Sequence, residues 1–256
     1  MNADQLLNVI GYAGKLLIES GAEIYRVEET MVRLSKSFKE VEDAESFVTL
    51  TGIMISLTVD NKTSTKILRV HTRGVDLHRI DCINTLSRDA CMHPFTLDEL
   101  EKKLHEIGEC PQYSFLTTMF FSGVTAGGFS MFFKGSFVDI VLSFMIGLWI
   151  KIITHFMETK NMNNFFINAI GAASAALAAI FWHWLLPSSE IENMVISSIM
   201  LLVPGLAITN AIRDTVAGDY LSGVARSCEA ILVAIAIAAG IGIVLHLFMS
   251  KVGVLS

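Results

Sequence analysis

Charge is what the second half of this chain lacks. Of its 19 Lys and Arg residues, 13 precede Ser114, and of its 25 Asp and Glu residues, 18 do. An ordinary soluble domain is roughly a quarter charged, whereas this chain is 17% charged overall and nearly bare after Ser114. A basic patch is missing too, and the net charge is −6, which argues against nucleic acid as a partner. Cys82, Cys91, Cys110 and Cys228 form no CxxC pair. Three of them lie near His78, His93 and His105, but at no standard zinc spacing, so reduced cysteines and no metal are expected. A Gly-x-x-x-x-Gly-Lys loop is absent, which excludes ATP drive within the chain. Without a Gly-x-Ser-x-Gly elbow or a metal pair, no catalytic residue and no cofactor are expected. The start, Met1 to Gln5, has no basic segment leading into an apolar stretch, so no signal peptide is expected.

Long apolar runs fill the space left by charge. About 20 apolar residues cross a bilayer core. Runs of that kind lie at about 114–133, 135–153, 165–186, 194–210 and 230–249. The expected fold is therefore a membrane protein. An α-helical transmembrane bundle of about five spans (113–256) follows an N-terminal α+β soluble domain (1–112). Placing that domain in the cytoplasm puts Lys151, Lys160, Arg213 and Arg226 on the inner side and only Lys134 and Lys251 outside, in keeping with the positive-inside rule. Small residues recur every fourth position at Gly123–Gly127, Gly171–Ala175–Ala179 and Ala234–Ala238–Gly242, which lets helix backbones approach closely in lipid.

In the soluble part, apolar residues at helical spacing predict helices over Ala3–Ser20 and Glu23–Phe38, with Gly21 breaking between them. Phe47–Val59 reads as strand with a bulge or tight turn near Gly52. Asp60-Asn61-Lys62 reads as a turn into a strand over Thr63–His71, followed by a helix over Asp76–Ala90. Thr96-Leu97-Asp98-Glu99 is a capping box opening a helix to about Glu109.

Two segments concentrate polar groups. In Ser20-Gly21-Ala22-Glu23-Ile24-Tyr25-Arg26-Val27-Glu28-Glu29-Thr30, a helix would put Glu23, Arg26, Thr30 and Arg33 on one side, away from the apolar stripe, with Glu29 nearby; a solvated face with i,i+3 ion pairs explains this as well as a function does. In Leu201 to Arg226, Pro204-Gly205 inside a span predicts a kink or break whose freed backbone groups need partners. Asn210, Arg213 and Asp214 share one helix face, and Thr215, Asp219, Ser222 and Arg226 another. Such a helix is either exposed outside the membrane, or broken at Gly218 so that both faces line a cavity. Asp139, in the second span, is either an interfacial residue or a proton or cation site.

These two segments resemble the threonine/serine exporter family. The resemblance rests on Ser20 to Thr30, on Leu202-Val203-Pro204-Gly205 through Asn210-Ala211-Ile212-Arg213-Asp214, and on Gly218-Asp219 and Gly223 to Arg226. It implies a multi-pass protein of a bacterial cell membrane that exports a small polar metabolite by secondary transport. Because the chain ends after the fifth span, it resembles the larger subunit of a split type, which implies a separate small membrane subunit and a hetero-oligomer in lipid. The resemblance implies threonine or serine as substrate, with dicarboxylate (succinate-type) export as the alternative; a membrane-anchored hydrolase or a sensor are readings of other classes. On this reading Asp139, Pro204, Gly205, Asn210, Arg213, Asp214, Asp219 and Arg226 are candidates for the substrate or ion pathway. Glu23, Arg26, Glu28 and Glu29 are candidates for a cytoplasmic gate or docking surface.

Overall fold

The computed structural model describes residues 2–72, 74–111 and 113–252, except the side chains of 249–252. Residue 112, at the expected domain boundary, and the side chain of Lys251 lie outside what is described. The chain divides into two compact units, residues 1–111 with 207–227, and residues 112–206 with 228–256.

The first unit is α+β. Helix α1 (Ala3–Glu19) starts at an Asn2 cap and buries Leu6, Leu7, Ile10, Ala13 and Leu17. It stops where Gly21 takes φ +85°, a conformation that glycine adopts without strain. Helix α2 (Ile24–Lys36) lays Val27, Met31 and Leu34 into the same core. A three-stranded antiparallel meander follows: β1 (Val41–Thr49), β2 (Gly52–Val59) and β3 (Lys62–Arg69). The phase change near Gly52 is a two-residue hairpin turn, since Thr49 pairs with Gly52. The second turn, Asp60-Asn61, has positive φ at both residues, as a type I′ hairpin requires. Alternate residues Ile53, Ile55, Leu57 and Val59 of β2 are buried, and α1 packs on the sheet. Helix α3 (Leu77–Met92) begins at an Asp76 cap, and α4 (Leu97–Glu109) at the Thr96–Glu99 capping box. Each fully buried Leu, Ile or Met in this core stabilises by about 1.5–3 kcal/mol.

The second unit has the reverse composition. It holds α5 (Phe115–Phe132), α6 (Phe137–Thr159), α7 (Asn164–Leu185), α8 (Ile191–Ile199) and most of α10 (Tyr220–Val252). Large apolar side chains such as Phe132, Phe137 and Leu177 point outward, while Gly123, Ser130, Ser143, Ala172 and Ala175 are buried. With lipid as solvent, small side chains inside and large ones outside are the expected arrangement. α5, α6, α7 and the Tyr220–Phe248 part of α10 are each long and apolar enough to cross a membrane.

The expected span at 194–210 carries the break that Pro204-Gly205 predicts. It is not one helix but α8, of nine residues, a break over Met200–Pro204, and α9 (Gly205–Ala217), of 13 residues. At 1.5 Å per residue these reach about 14 and 20 Å, so neither helix alone matches the roughly 30 Å core, and any crossing here is an interrupted one. Pro204 supplies the break: it has no N–H to donate and disfavours helical backbone in Val203. The small-residue stripe of α10 is not the face packed within this chain. Ala234, Ala238 and Gly242 are exposed, and the packed face carries Ala236, Ile237 and Gly240. Gly240 selects that face, because a β-carbon there would lie 2.1 Å from the Ala169 carbonyl oxygen.

Candidate functional site

Within the first unit, the two polar segments meet. Gly218, at φ +101°, turns the chain between α9 and α10. The two helices then close tightly, because Gly223 has no side chain: a β-carbon there would lie 2.1 Å from Thr215 Oγ1 and 3.0 Å from the Ala211 carbonyl. Asp214 on α9 and Arg226 on α10 are thereby brought together, with Asp214 Oδ2 2.9 Å from Arg226 Nε. The break at Gly218 is the one foreseen, and it lets the two polar faces meet. They close on each other and on the turn between α1 and α2.

That turn is held almost entirely through its backbone. Asn210 Nδ2 donates to the Gly21 carbonyl at 2.8 Å, and Arg226 Nη2 to the Ala22 carbonyl at 2.6 Å. The Ile24 N–H donates to Asp214 Oδ1 at 3.0 Å. Arg213 Nη1 donates to the Glu23 carboxylate, which also pairs with Arg26 at 3.2 Å. Asp214 is fully buried, Asn210, Glu23 and Arg226 nearly so, while the Arg213 side chain is 53% exposed. We refer to this arrangement as the latch.

The acids of the latch sit in different fields. Burial pushes the Glu23 carboxyl up, but a backbone hydrogen bond and the Arg213 and Arg26 guanidinium groups outweigh it and hold Glu23 below the usual carboxylate range. For Asp214 the balance reverses: burial, with a small contribution from Asp219, wins over the Ile24 N–H and Arg226, and its pKa is raised.

The remaining candidates are dispersed. Glu28 ties α2 to β1, its Oε1 accepting the Val48 N–H at 2.8 Å; burial raises its pKa, and Asp219 adds to the rise. Glu29 pairs with Arg33 on the exposed side of α2. Thr30, expected on that polar side, is buried instead, with its hydroxyl 3.4 Å from Asn84 Oδ1. Asp219 immediately precedes α10. Pro204 lies in the break and Gly205 opens α9.

Asp139, in the second unit, is buried but sits in the first turn of α6, where its Oδ2 accepts from the Ser136 N–H and hydroxyl in a capping box. Its Oδ1 accepts the Glu190 N–H at 2.8 Å. Both oxygens are thus engaged in fixing a helix start and a loop. The four cysteines are unpaired. Among the described residues no group of three or more His, Cys, Asp or Glu side chains is arranged to hold a metal ion.

Sequence reasoning missed the backbone partners of these side chains. The carbonyls of Gly21 and Ala22 and the N–H of Ile24 carry no residue-type signature. The available signal was a glycine between two helices in one polar segment, and two opposed polar faces in the other.

Four membrane-length apolar helices beside an α+β unit are the features of a multi-span membrane protein. The comparisons agree. The sequence profile of the family described as "Putative threonine/serine exporter" matches residues 8–248, and the chain belongs to this family. It is 22% identical over 231 residues to the "Probable succinate transporter subunit YjjP" of Escherichia coli, covering 89% of each chain. It is 23% identical over 245 residues to the "Probable threonine/serine exporter" of Mycobacterium tuberculosis, covering 94% of this chain and 46% of that one. It is 22% identical over 250 residues to the "Threonine/serine exporter" of Corynebacterium glutamicum, covering 94% of this chain and 51% of that one. The chain thus spans nearly the whole of YjjP and about half of each exporter. No solved structure matches it.

Proposed function

We propose that this chain is the larger subunit of a secondary exporter of small polar metabolites, with threonine or serine as substrate, acting with a separate small membrane subunit. The family supports export. The near-equal length of a relative named as a transporter subunit, beside exporters about twice as long, supports a separate partner. The exposed Ala234–Ala238–Gly242 face of α10 offers a surface on which partner helices could pack closely. The charge bias supports a multi-pass protein of a bacterial inner membrane with the N-terminal domain in the cytoplasm.

The observation that carries the mechanism is the latch, in which the charged groups of one family segment are engaged by the backbone of the other. In this reading it is one of two states in an alternating-access cycle. Opening frees Arg213, whose half-exposed guanidinium then receives a passing carboxylate in place of Glu23. Asp214, whose pKa is raised, carries a proton, so that the proton gradient drives opening. Asp219, just before α10, and Arg226, on it, complete the path, and Glu23 with Arg26 forms the gate at its cytoplasmic mouth. The break at Pro204-Gly205 presents backbone dipoles to substrate.

Dicarboxylate export is the second reading, favoured by the match to YjjP across nearly its full length. Efflux of labelled threonine, serine and succinate from proteoliposomes, with the chain alone and with its small partner, separates the readings. Threonine or serine efflux that needs the partner and a proton gradient is expected. Succinate efflux alone would transfer the assignment to dicarboxylates. No efflux of any of them, with both subunits reconstituted, would contradict transport.

A further inference from the structure

A half-open cavity of about 300 Å³ lies within the second unit, where α6 ends, α7 begins and the chain unwinds after α8. Lys151, Thr154 and Glu158 line it from a single stripe of α6, Asn164 and Asn168 from the first turns of α7, and Ser122 from α5. Leu201 and Leu202, in the unwound stretch, complete the wall. Two independent features therefore coincide. Irregular backbone at membrane depth is tolerated where protein buries it or where it lines a cavity, and this break lines one. Ionisable side chains in apolar spans are costly and usually functional, and Lys151 and Glu158 both face the same cavity. The volume is at the low end of the range for small-molecule sites.

We propose that this cavity is a binding site for a small zwitterion, an α-amino acid with its carboxylate on Lys151 and its ammonium group on Glu158. Lys151 Nζ and Glu158 Oε2 are 4.0 Å apart, at the outer limit of an ion pair, and His155 Nδ1 is 3.9 Å from the same oxygen, so a zwitterion can dock alongside the pair and give each charge a closer partner. Thr154 and Ser122 donate their hydroxyl hydrogens to their own helices, at 3.3 and 2.8 Å, and keep lone pairs to accept from a substrate hydroxyl. The charges also select. One cation beside one anion suits a zwitterion, whereas a dicarboxylate would set its second carboxylate against Glu158. The assignment rests on the transporter reading and narrows it to amino acids.

The test is equilibrium binding of labelled threonine to the purified full chain, with succinate as competitor, alongside proteoliposome efflux with the small subunit. Wild type should bind threonine in preference to succinate. Lys151→Gln and Glu158→Gln should each weaken threonine binding roughly ten- to hundredfold, as expected for loss of a charge-assisted contact. Lys151→Arg should recover part of it, and Glu158→Gln should narrow the preference against succinate. Matched melting temperatures show that the variants are folded. Efflux by wild type with unchanged threonine binding in both Gln variants would overturn the site and leave the transport reading intact. Threonine binding lost in both variants, without efflux by wild type, would support the site and overturn transport. Absence of both binding and efflux in wild type would overturn both.

Discussion

The latch and the cavity each contain an ion pair, and the two pairs are built for opposite purposes. Asp214 and Arg226 are buried, 2.9 Å apart, and tied by further hydrogen bonds to the turn at Gly21–Ile24. Lys151 and Glu158 are 4.0 Å apart with side chains 27% and 50% exposed. A buried pair must be satisfied by the protein itself, since removing one member leaves an uncompensated charge. A loose, partly exposed pair contributes little to stability and stays available to a ligand. The distance and burial of a pair therefore separate a charge that shapes the protein from one that can bind a solute.

Substitutions can break this contrast, the largest effect on stability coming first. Arg226→Met leaves the Asp214 carboxylate buried without its cation and should cost about 3–5 kcal/mol, visible as a large fall in melting temperature in detergent. Gly223→Val drives a side chain into Thr215 Oγ1 and the Ala211 carbonyl and should cost about 1–3 kcal/mol by overpacking, read in the same melt. Arg213→Ala removes a half-exposed partner of Glu23 and should cost no more than about 1 kcal/mol, yet slow export; full-rate export by a normally assembled variant would remove Arg213 from the path. Lys151→Gln should shift stability by less than about 0.5 kcal/mol while raising the threonine KM.

Acid sharpens the contrast within the latch. Glu23 has a lowered pKa in the folded protein, so its stabilisation is present above the ordinary carboxylate value of about 4.3 and is lost as pH falls through the folded pKa. Glu23→Gln should therefore be less stable than wild type at neutral pH, and the two should converge in acid. Asp214 has a raised pKa, so its contribution is present below the ordinary value and is lost as pH rises through the folded pKa. Stability measured against pH for wild type, Glu23→Gln and Asp214→Asn should show these two opposite slopes.

Much of the fold was legible because single-residue rules govern it. The Thr96–Glu99 capping box, the Asp60-Asn61 turn and the α1 and α2 stripes all follow from local chemistry, and the membrane helices from the loss of charge after Ser114. The break in the span at 194–210 was legible from Pro204-Gly205, but its extent, from Met200 to Pro204, was not. The latch residues were legible as two polar segments, but not as partners: Asn210 and Gly21 are 189 positions apart, and the acceptors are backbone groups. Asp139 reads by sequence as either an interfacial residue or a proton or cation site; the structure shows it in a capping box with Ser136, three residues earlier, a signature the reading did not use. Lys151 was legible only as an inner-side charge and Glu158 not at all, because nothing local shows that α7 and the unwound stretch after α8 enclose them.

The most direct test of the division between latch and cavity is the threonine-dependent shift in melting temperature of wild type, Arg213→Ala and Lys151→Gln, measured side by side. A ligand that binds the folded chain must stabilise it in proportion to occupancy. Threonine should raise the melting temperature of wild type and Arg213→Ala alike and leave Lys151→Gln unmoved. A shift that survives in Lys151→Gln and disappears in Arg213→Ala would place the resting substrate site in the latch and contradict the account.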